Sequence, residues 1–296
     1  MRIKTTLAVM LTAATMHVFA ADISVPNDYP TVQDAVDAAS DGDTIMVMDG
    51  MYAGAVVNKA VHIKGNGHVI INVGVDKQWW PHGTRGFVVT ADGATISHLA
   101  IESVGIGIEG YPTDANPAVD DVAISHVTIS NLIPTYKGVY RRVIQGAFGV
   151  LNNEGGSGWT VTHSKMGLTD GFAGYGIYIQ QGVDILIAFN EIEHIEQVPT
   201  GTHYFGVFLL DTQYNKVVHN KILIDAEKKG CVGIGGITSV NNTIGFNDFR
   251  GSTVAGVAAV WGSDADANLI KANVGWNRSS ITDADAPDFK SVTERQ

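Results

Sequence analysis

One frame recurs four times along this chain, as Ile187-Ala-Phe-Asn-Glu-Ile192, Val217-Val-His-Asn-Lys-Ile222, Ile244-Gly-Phe-Asn-Asp-Phe249 and Ile270-Lys-Ala-Asn-Val-Gly275. Asn190, Asn220, Asn247 and Asn273 hold the same position in it, at spacings of 30, 27 and 26 residues. An apolar residue stands three positions before each Asn, and another follows two positions after the first three. A repeat of this length predicts a solenoid, because one repeat cannot bury its own apolar face and must stack on the next.

The frame extends towards the N-terminus with other residues in the Asn position, which gives seven coils. These residues are Ser164, Val127 and Leu99. A second set of short runs alternates with period two, and each run opens with a glycine: Gly149, Gly176, Gly206, Gly233 and Gly256. Glycine followed by alternation is typical of a strand entered from a tight bend. Residues 50–280 carry no convincing helical period, so the sequence predicts an all-β fold.

Two or three strands in each repeat favour a parallel β-helix over a sandwich. A sandwich needs Asn-Gly or Asp-Gly hairpin turns, and these occur mainly outside the repeat frame. Successive coils of a β-helix are about 4.8 Å apart, so equivalent side chains lie above one another. A stacked Asn can pass amide hydrogen bonds from coil to coil. We therefore interpret the Asn column as scaffold, with a ligand role as the alternative.

The N-terminal region predicts a lid for the solenoid. Residues 31–40 place apolar side chains at helical spacing after the N-cap candidate Thr31. Residues 43–48 then alternate as a strand that ends at Gly50. A capping helix and a first strand would cover the open end of the core.

These segments resemble a known superfamily. Tyr29-Pro-Thr-Val-Gln-Asp-Ala-Val-Asp-Ala-Ala39, Gly42-Asp-Thr-Ile45 and Gly50-Met-Tyr52, with the later Asn column, are similar to right-handed parallel β-helix proteins of the pectin lyase-like superfamily. The resemblance covers nearly the whole chain after residue 20 and implies a right-handed, single-stranded parallel β-helix. The superfamily includes polysaccharide lyases, polygalacturonases, pectinesterases, epimerases, phage tail spikes and non-enzymatic periplasmic proteins, so it leaves the reaction open.

The first 20 residues read as a secretory signal peptide. A basic start, an apolar stretch from Leu7 to Ala20 and the small-residue end Val18-Phe-Ala-Ala21 predict cleavage after Ala20. A transmembrane anchor is the alternative, but the apolar run is shorter than the roughly 20 residues that span a bilayer. We expect an exported, periplasmic or secreted monomer with no membrane insertion, a β-helix domain at 21–280 and a polar tail at 281–296.

The net charge disfavours some classes of binding partner, and the cysteine content excludes an intramolecular disulfide. The chain has 30 acidic and 19 basic residues, a net charge of −11, which disfavours nucleic acid and anionic membranes. Cys231 is the only cysteine, so an intramolecular disulfide is impossible, and we expect this side chain in the core.

The repeat frame is broken between residues 131 and 149, inside a stretch without any acid from 122 to 153. The inserted residues include Tyr136, Lys137, Tyr140, Arg141 and Arg142. Loops inserted into a solenoid commonly carry binding function. A sugar acid needs a cation for its carboxylate and flat rings for its pyranose faces, so this composition suits an acidic polysaccharide. The alternative is a solvated loop whose tyrosines pack on the coil.

A second break, at residues 194–204, falls two coils later and ends in His203 and Tyr204. With the coils in register, it would project towards the same side as the first. Neighbouring strands predict the outward residues Tyr178, Gln180, Phe208 and Leu210, against the inward residues Ile177, Ile179, Val207 and Leu209. Tyr178 and Phe208 would form an aromatic floor for sugar, and ordinary stacking between coils is the alternative.

The predicted chemistry is β-elimination on a uronate. Arg141, Arg142 or a bound Ca²⁺ would stabilise charge on the carboxylate, and Lys137, His203 or Tyr204 would serve as base.

A hydrolase is less favoured. The paired-Asp and Gly-His-Gly pattern of polygalacturonases is absent from the sequence. Asp170, Asp184 and Asp211 are therefore candidate catalytic carboxylates only by default. A pectinesterase is also disfavoured, because Gly50-Met-Tyr-Ala-Gly54 has Gly where that family carries Glu.

Metal sites are weakly indicated. His98, His126, His163 and His219 share one column and could bind a transition metal, but Phe189 and Phe246 in the same column favour packing. Asp264-Ala-Asp-Ala-Asn268 begins like a Ca²⁺ loop without the Gly and Glu of an EF-hand, so no metal ligand is assigned and a looser Ca²⁺ site stays open. The sequence thus favours a protein that binds and cleaves an acidic polysaccharide. The alternative is a non-catalytic envelope binding or assembly module, perhaps metal-linked.

Overall fold

The structure is a computed structural model, and it describes residues 20–75, 84–132, 147–152, 155–168, 173–195, 203–225, 228–260, 265–275 and 278–280. Strands are numbered along the chain. The N-terminal elements are β1 (Asp22–Val25), α1 (Val32–Ala38), β2 (Thr44–Ala53), β3 (Ala55–Val57) and β4 (His62–Val73).

The strands after β4 form three series, each with one strand per coil. The first series is β6 (Thr95–Ser97), β9 (Ala123–Ser125), β12 (Thr160–Thr162), β15 (Leu186–Ala188), β18 (Lys216–Val218), β21 (Thr243–Gly245) and β23 (Leu269–Lys271). The second series is β7 (Ala100–Glu102), β10 (Thr128–Ser130), β13 (Lys165–Leu168), β16 (Glu191–Ile195) and β19 (Lys221–Asp225). The third series continues β3 with β5 (Arg85–Val89), β8 (Ile106–Gly110), β11 (Ala147–Asn152), β14 (Ala173–Gln180), β17 (His203–Leu210), β20 (Lys228–Gly235), β22 (Ala255–Val260) and β24 (Arg278–Ser280). A 3₁₀ turn covers Ala265–Ala267.

Strands within a series pair in parallel, each with the equivalent strand of the next coil. The first two series form one sheet, here called sheet A, because β4 is long enough to pair with both β6 and β7. The third series forms sheet B. This arrangement is the parallel β-helix that the sequence predicts, and the all-parallel pairing follows because every coil climbs in the same direction.

The core is the space enclosed by the two sheets. Inward residues of successive coils stack on one another and are fully buried, as in Ile96, Ile124, Val161, Ile187 and Val217. These five positions are in register through β6, β9, β12, β15 and β18. Lone Cys231 is also buried in this core, which confirms its predicted packing role.

The Asn column lies at the bend between the first and second series and forms a continuous ladder. Asn220 Oδ1 accepts hydrogen bonds from the backbone N and the Nδ2 of Asn190, at 2.9 and 3.0 Å. The same pair of bonds joins Asn220 to Asn247, and Asn247 to Asn273. Asn190, Asn220 and Asn247 are 2% exposed or less, so their amides satisfy a bend that no strand pairs. The scaffold interpretation is confirmed.

A second ladder, formed by Asn215, Asn242 and Asn268, lies at the bend before the first series. Asn242 Oδ1 accepts from the backbone N and the Nδ2 of Asn215, both at 3.0 Å, and Asn268 Oδ1 binds Asn242 in the same way. The sequence interpretation missed these residues, although they too are 27 and 26 residues apart. Earlier coils carry the apolar residues Trp159 and Ile185 at this position, so the column is apolar in those coils and Asn in the later ones.

The N-terminal lid follows the prediction with one correction. Helix α1 begins after the N-cap Thr31, whose side chain accepts a hydrogen bond from Asp34 N. Strand β2 does not end at Gly50 but continues to Ala53 through an irregularity in its pairing with β4, which the positive φ of Gly50 allows. Residues 1–19 of the predicted signal peptide and the predicted tail (281–296) lie outside the described residues. Within the described ranges, no helix is long and apolar enough to cross a membrane.

The glycine register of sheet B needs a second correction. Gly149, Gly176 and Gly206 are equivalent, because a Cβ on Gly149 or Gly176 would lie 2.5 Å from the carbonyl oxygen of the next glycine. The residue paired one coil beyond Gly206 is Cys231, not Gly233, since Phe205 pairs with Gly230 and Val207 with Val232. The predicted run at Gly233 is therefore shifted by two residues.

Candidate functional site

The candidate site is the corner where the second series of strands leads into sheet B. The chain leaves sheet A after β10, β13, β16 and β19 and enters sheet B at β11, β14, β17 and β20. Each of these sets is paired coil on coil. The four connecting segments therefore start and end at one corner of the solenoid, on four successive coils.

The two interruptions of the repeat start from this corner. The first begins after β10 and the second after β16, two coils later, as the sequence predicts. Tyr136, Lys137, Tyr140, Arg141 and Arg142 lie outside the described residues, so their roles stay predictions. The distance between the two starting points is about 10 Å, from two coil spacings of roughly 4.8 Å.

His203 and Tyr204 are the first two residues of β17. Their backbones pair with Ala173 and Gly174 on one side. On the other side they pair with Lys228 and Lys229, the first two residues of β20. The register thus places a His-Tyr pair and a Lys-Lys pair side by side at the corner.

Sequence reasoning missed Lys228 and Lys229. Their signal is a pair of lysines directly before Gly230, at the entry to sheet B. The shifted glycine register hid it, because a strand opening at Gly233 leaves the lysines in the preceding loop. Taking Cys231 as the equivalent of Gly206 brings them into register with His203 and Tyr204.

Tyr178 and Phe208 point outward from sheet B, as predicted, but they are buried. The alternation is confirmed, since Ile177, Ile179, Val207 and Leu209 belong to the core whereas Tyr178 and Phe208 belong to a separate cluster. The two rings stack with centroids 5.6 Å apart and are 1% and 0% exposed. Their predicted contact with a sugar stays a prediction, and in this structure they offer no exposed ring face.

The same outer cluster contains Tyr175 and Phe205. Tyr175 meets Tyr178 edge to face at 5.3 Å, and Phe205 lies 4.9 Å from Phe208. Burial, reinforced by the charge of Asp211, raises the pKa of Tyr178 above its usual range, and burial also raises the pKa of Tyr175. Both phenols are neutral near pH 7 and act as packing groups in this cluster.

A buried ion pair occupies the first coils of the same outer face. The Nε of Arg85 donates to Oε2 of Glu109, and both residues are 1% exposed or less. Arg85 pairs in register with Ile106, a member of the outer aromatic cluster. Removing either partner would leave a buried uncompensated charge, so the pair must be replaced as a unit. Neither residue belongs to a periodic pattern, which is why the sequence interpretation missed it.

The histidine column is an exposed stack of rings at the bend of the Asn ladder. His98, His126, His163, Phe189 and His219 lie with successive centroids 4.6 to 5.2 Å apart. All five have a left-handed backbone, with φ between 51 and 59°. Burial, then the neighbouring charges of His126 and Lys64, lowers the pKa of His98.

This geometry suits packing better than metal binding. A metal held by two imidazoles at about 2.0–2.1 Å needs lone pairs that converge, whereas parallel stacked rings point their nitrogens in parallel. Within the described part of the chain, no group of three or more His, Cys, Asp or Glu residues is placed to hold a metal ion. Phe189 and Phe246 continue the stack without a nitrogen, in agreement with packing.

Comparison with known proteins identifies the architecture. No protein-family model and no curated protein matches the chain. An alginate lyase from Paenibacillus sp. str. FPU-7 has a similar structure, with a TM-score of 0.50 and 14% identity over 88% of this chain and 97% of that chain. Pectin methylesterase PemA from Erwinia chrysanthemi has a TM-score of 0.50 and 12% identity over 94% and 96%. A pectin methylesterase in complex with a hexasaccharide has a TM-score of 0.51 and 12% identity over the same shares. The chain therefore has the right-handed parallel β-helix fold that the sequence resemblance implies, and these structures show the fold alone.

Proposed function

We propose that this protein binds an acidic, uronate-containing polysaccharide at the corner between sheet A and sheet B and cleaves it by β-elimination. One observation carries the proposal: His203 and Tyr204 pair in register with Lys228 and Lys229. The acid-free segment of residues 122–153 enters the same corner two coils earlier. We expect the cationic side chains of both segments to gather at this edge of a chain whose net charge is −11, where they would suit a carboxylate.

The proposed reaction removes the proton next to the uronate carboxylate and then expels the 4-linked sugar. Charge develops on the carboxylate, where Arg141, Arg142 or a bound Ca²⁺ would stabilise it. Lys137, His203 or Tyr204 would accept the proton, and each needs a lowered pKa or a shared proton to do so near neutral pH.

Lys228 and Lys229 add a binding role. A lysine ammonium acts as a flexible point charge, which suits the carboxylate of a flanking sugar better than the reacting one. We expect these two residues to control affinity and the residues of the first interruption to control turnover.

The fold supports a polysaccharide substrate but leaves the reaction open. The three proteins of similar structure are, by their names, an alginate lyase and two pectin methylesterases. A shared fold at 12–14% identity does not transfer a reaction, so β-elimination rests on the residues at the corner.

The proposed location is periplasmic or secreted, and it rests on the signal-peptide pattern of residues 1–20. An extracellular polymer cannot enter the cytoplasm intact, so export and substrate class are consistent with each other.

The test is a panel of uronate polymers, with a neutral polymer for comparison, incubated with and without Ca²⁺. β-Elimination leaves a double bond conjugated to the carboxylate, and ultraviolet absorbance detects it. We expect absorbance to rise with at least one uronate polymer and to fall sharply in Arg141→Ala or His203→Ala.

Lys216→Ala is the matched control, because Lys216 is an exposed lysine in β18, away from the corner. Full activity in both Arg141→Ala and His203→Ala would reject their assignment. Tight binding without any unsaturated product would instead support the non-catalytic binding module.

A further inference from the structure

A nearly buried carboxylate holds the residue that follows the predicted cleavage point. Asp43 is 6% exposed and precedes β2. Its Oδ1 accepts a hydrogen bond from the backbone N of Ala21 at 2.7 Å, and its Oδ2 accepts one from Ser40 N at 2.8 Å. Ala21 is thus tied to a side chain 22 residues away.

The position of Ala21 is fixed by hydrogen bonds of both its backbone nitrogen and its carbonyl oxygen. Its carbonyl oxygen accepts a hydrogen bond from Thr44 N at 2.9 Å, while its nitrogen donates to Asp43. The next residue, Asp22, begins β1 and pairs in parallel with Thr44. The Ala21 nitrogen is therefore held at the edge of the sheet by Asp43.

The electrostatics favour a cation at this nitrogen. The pKa of Asp43 is lowered, first by the Ala21 hydrogen bond and then by the Ser40 hydrogen bond, with a smaller contribution from Lys59. Lys59 donates its Nζ to the carbonyl oxygens of Asp37 and Ala39. The Asp43 carboxylate is thus ionised at neutral pH, and both of its oxygens accept from backbone N–H groups.

We propose that cleavage between Ala20 and Ala21 turns this hydrogen bond into an ion pair between the new α-ammonium group and the Asp43 carboxylate. Water adds across the peptide bond, Ala20 leaves as a carboxylate, and the Ala21 nitrogen becomes an amine that takes up a proton. The signal peptidase that acts on exported proteins supplies the catalysis. The proposal rests on the export that the proposed function includes.

The ion pair locks β1 onto the edge of sheet A only in the processed protein. An uncleaved chain offers one neutral N–H at this point, whereas the processed chain offers a charged group with three donors. Charge-assisted hydrogen bonds are roughly twice as strong as neutral ones. Processing therefore completes the lid over the N-terminal end of the solenoid.

The pairing raises the pKa of the α-amino group above its ordinary value of about 7.7–8.0. A raised pKa means that the stabilisation is complete below the unfolded pKa and is lost as the pH rises through the folded pKa. Asp43 has a lowered pKa, so its contribution to stability is present above its unfolded pKa and is lost as the pH falls through the folded pKa. The ion pair is therefore formed across the neutral pH range.

The experiment exports the full chain from a bacterial host, identifies its first residue by mass spectrometry and follows acylation of its α-amino group near about pH 6.5, below the pKa of the free amine. We expect the chain to begin at Ala21 and to be acylated at least about tenfold more slowly than Asp43→Asn, which corresponds to one pKa unit or more. Asp41→Asn is the matched control, because Asp41 is exposed and its carboxylate accepts from Ala60 N. This control is expected to react at the wild-type rate.

A different first residue, or equal acylation rates in the wild type and Asp43→Asn, overturns the proposal. If Asp43→Asn does not fold, the α-amino pKa of the wild type in buffer and in urea decides. A higher value in the folded protein supports the ion pair, and equal values reject it. A chain that begins at Ala21 with a slow α-amino group but binds no uronate rejects the proposed function alone. A chain that binds uronates but begins elsewhere rejects this inference alone.

Discussion

Removing one rung of the Asn ladder tests the scaffold most sharply, and Asn220→Ala is the rung with the most contacts. Asn220 Oδ1 accepts from the backbone N and the Nδ2 of Asn190. Its Nδ2 lies within hydrogen-bond distance of the carbonyl oxygen of Ile187 and of Oδ1 of Asn247, at 2.9 and 3.0 Å. The residue is 1% exposed, so water cannot replace these partners without opening the bend.

The magnitude follows from the groups that lose a partner. Alanine leaves the Asn190 backbone N–H without its acceptor, while Asn190 Nδ2 keeps its bond to Val161 O at 2.8 Å. An unsatisfied buried donor costs about 1–3 kcal/mol, and the Ile187 carbonyl also loses its bond from Asn220 Nδ2. We expect Asn220→Ala to lower the free energy of unfolding by about 2–4 kcal/mol.

Urea unfolding followed by far-ultraviolet circular dichroism measures this loss. Asn58→Ala is the matched control, because it removes the same amide from an exposed position, and it should change stability by less than about 0.5 kcal/mol. Native-state hydrogen exchange adds a local readout, since protection of the Asn190 amide should fall most. Equal and small losses in the two variants would refute the ladder as a stabilising element.

Three further results are expected. Gly176→Ala should lower the free energy of unfolding by about 1–3 kcal/mol, because its Cβ would lie 2.5 Å from a carbonyl oxygen. A Cβ on Gly167 would lie 3.9 Å from its nearest neighbour, so Gly167→Ala should be tolerated in the same urea assay. The lowered pKa of His98 favours the neutral ring in the folded state, so the stability of the protein should fall as the pH drops below about 6.5. The Tm of His126→Phe, measured across this pH range, should fall less than that of the wild type. An unchanged pH profile in that variant would reject charge repulsion within the ring stack. Burial raises the pKa of Cys231 to about 11, so a thiol reagent at neutral pH should label this residue only in denaturant, and rapid labelling of the folded chain would contradict its place in the core.

The fold could be predicted because each coil repeats the same physical requirement. In the later coils the buried bend is satisfied by an amide at each level, which keeps Asn at a fixed spacing through Asn190, Asn220 and Asn247. The second ladder was missed because its column contains Trp159 and Ile185 in earlier coils, where an apolar side chain fills the same bend.

The site was less predictable because functional residues do not repeat. Lys228 and Lys229 stand in one coil only, and Cys231 in place of a glycine concealed their register. Arg85 and Glu109 come together from adjacent coils, 24 residues apart, without any pattern that marks them as a pair. Outward alternation located Tyr178 correctly, but alternation does not report what covers a side chain, and this ring is buried.

The central claim is that the corner of the solenoid binds acidic polysaccharide through its cationic residues. The most direct measurement is the affinity of the full chain for a uronate oligosaccharide, compared between the wild type and Lys228→Ala/Lys229→Ala, with Lys216→Ala as the control. A charge-assisted hydrogen bond contributes about 1.5–3 kcal/mol, so the double variant should bind about tenfold or more weakly, and the control should bind as the wild type does. Equal affinity in all three proteins, or equal affinity for a neutral oligosaccharide, would contradict the claim.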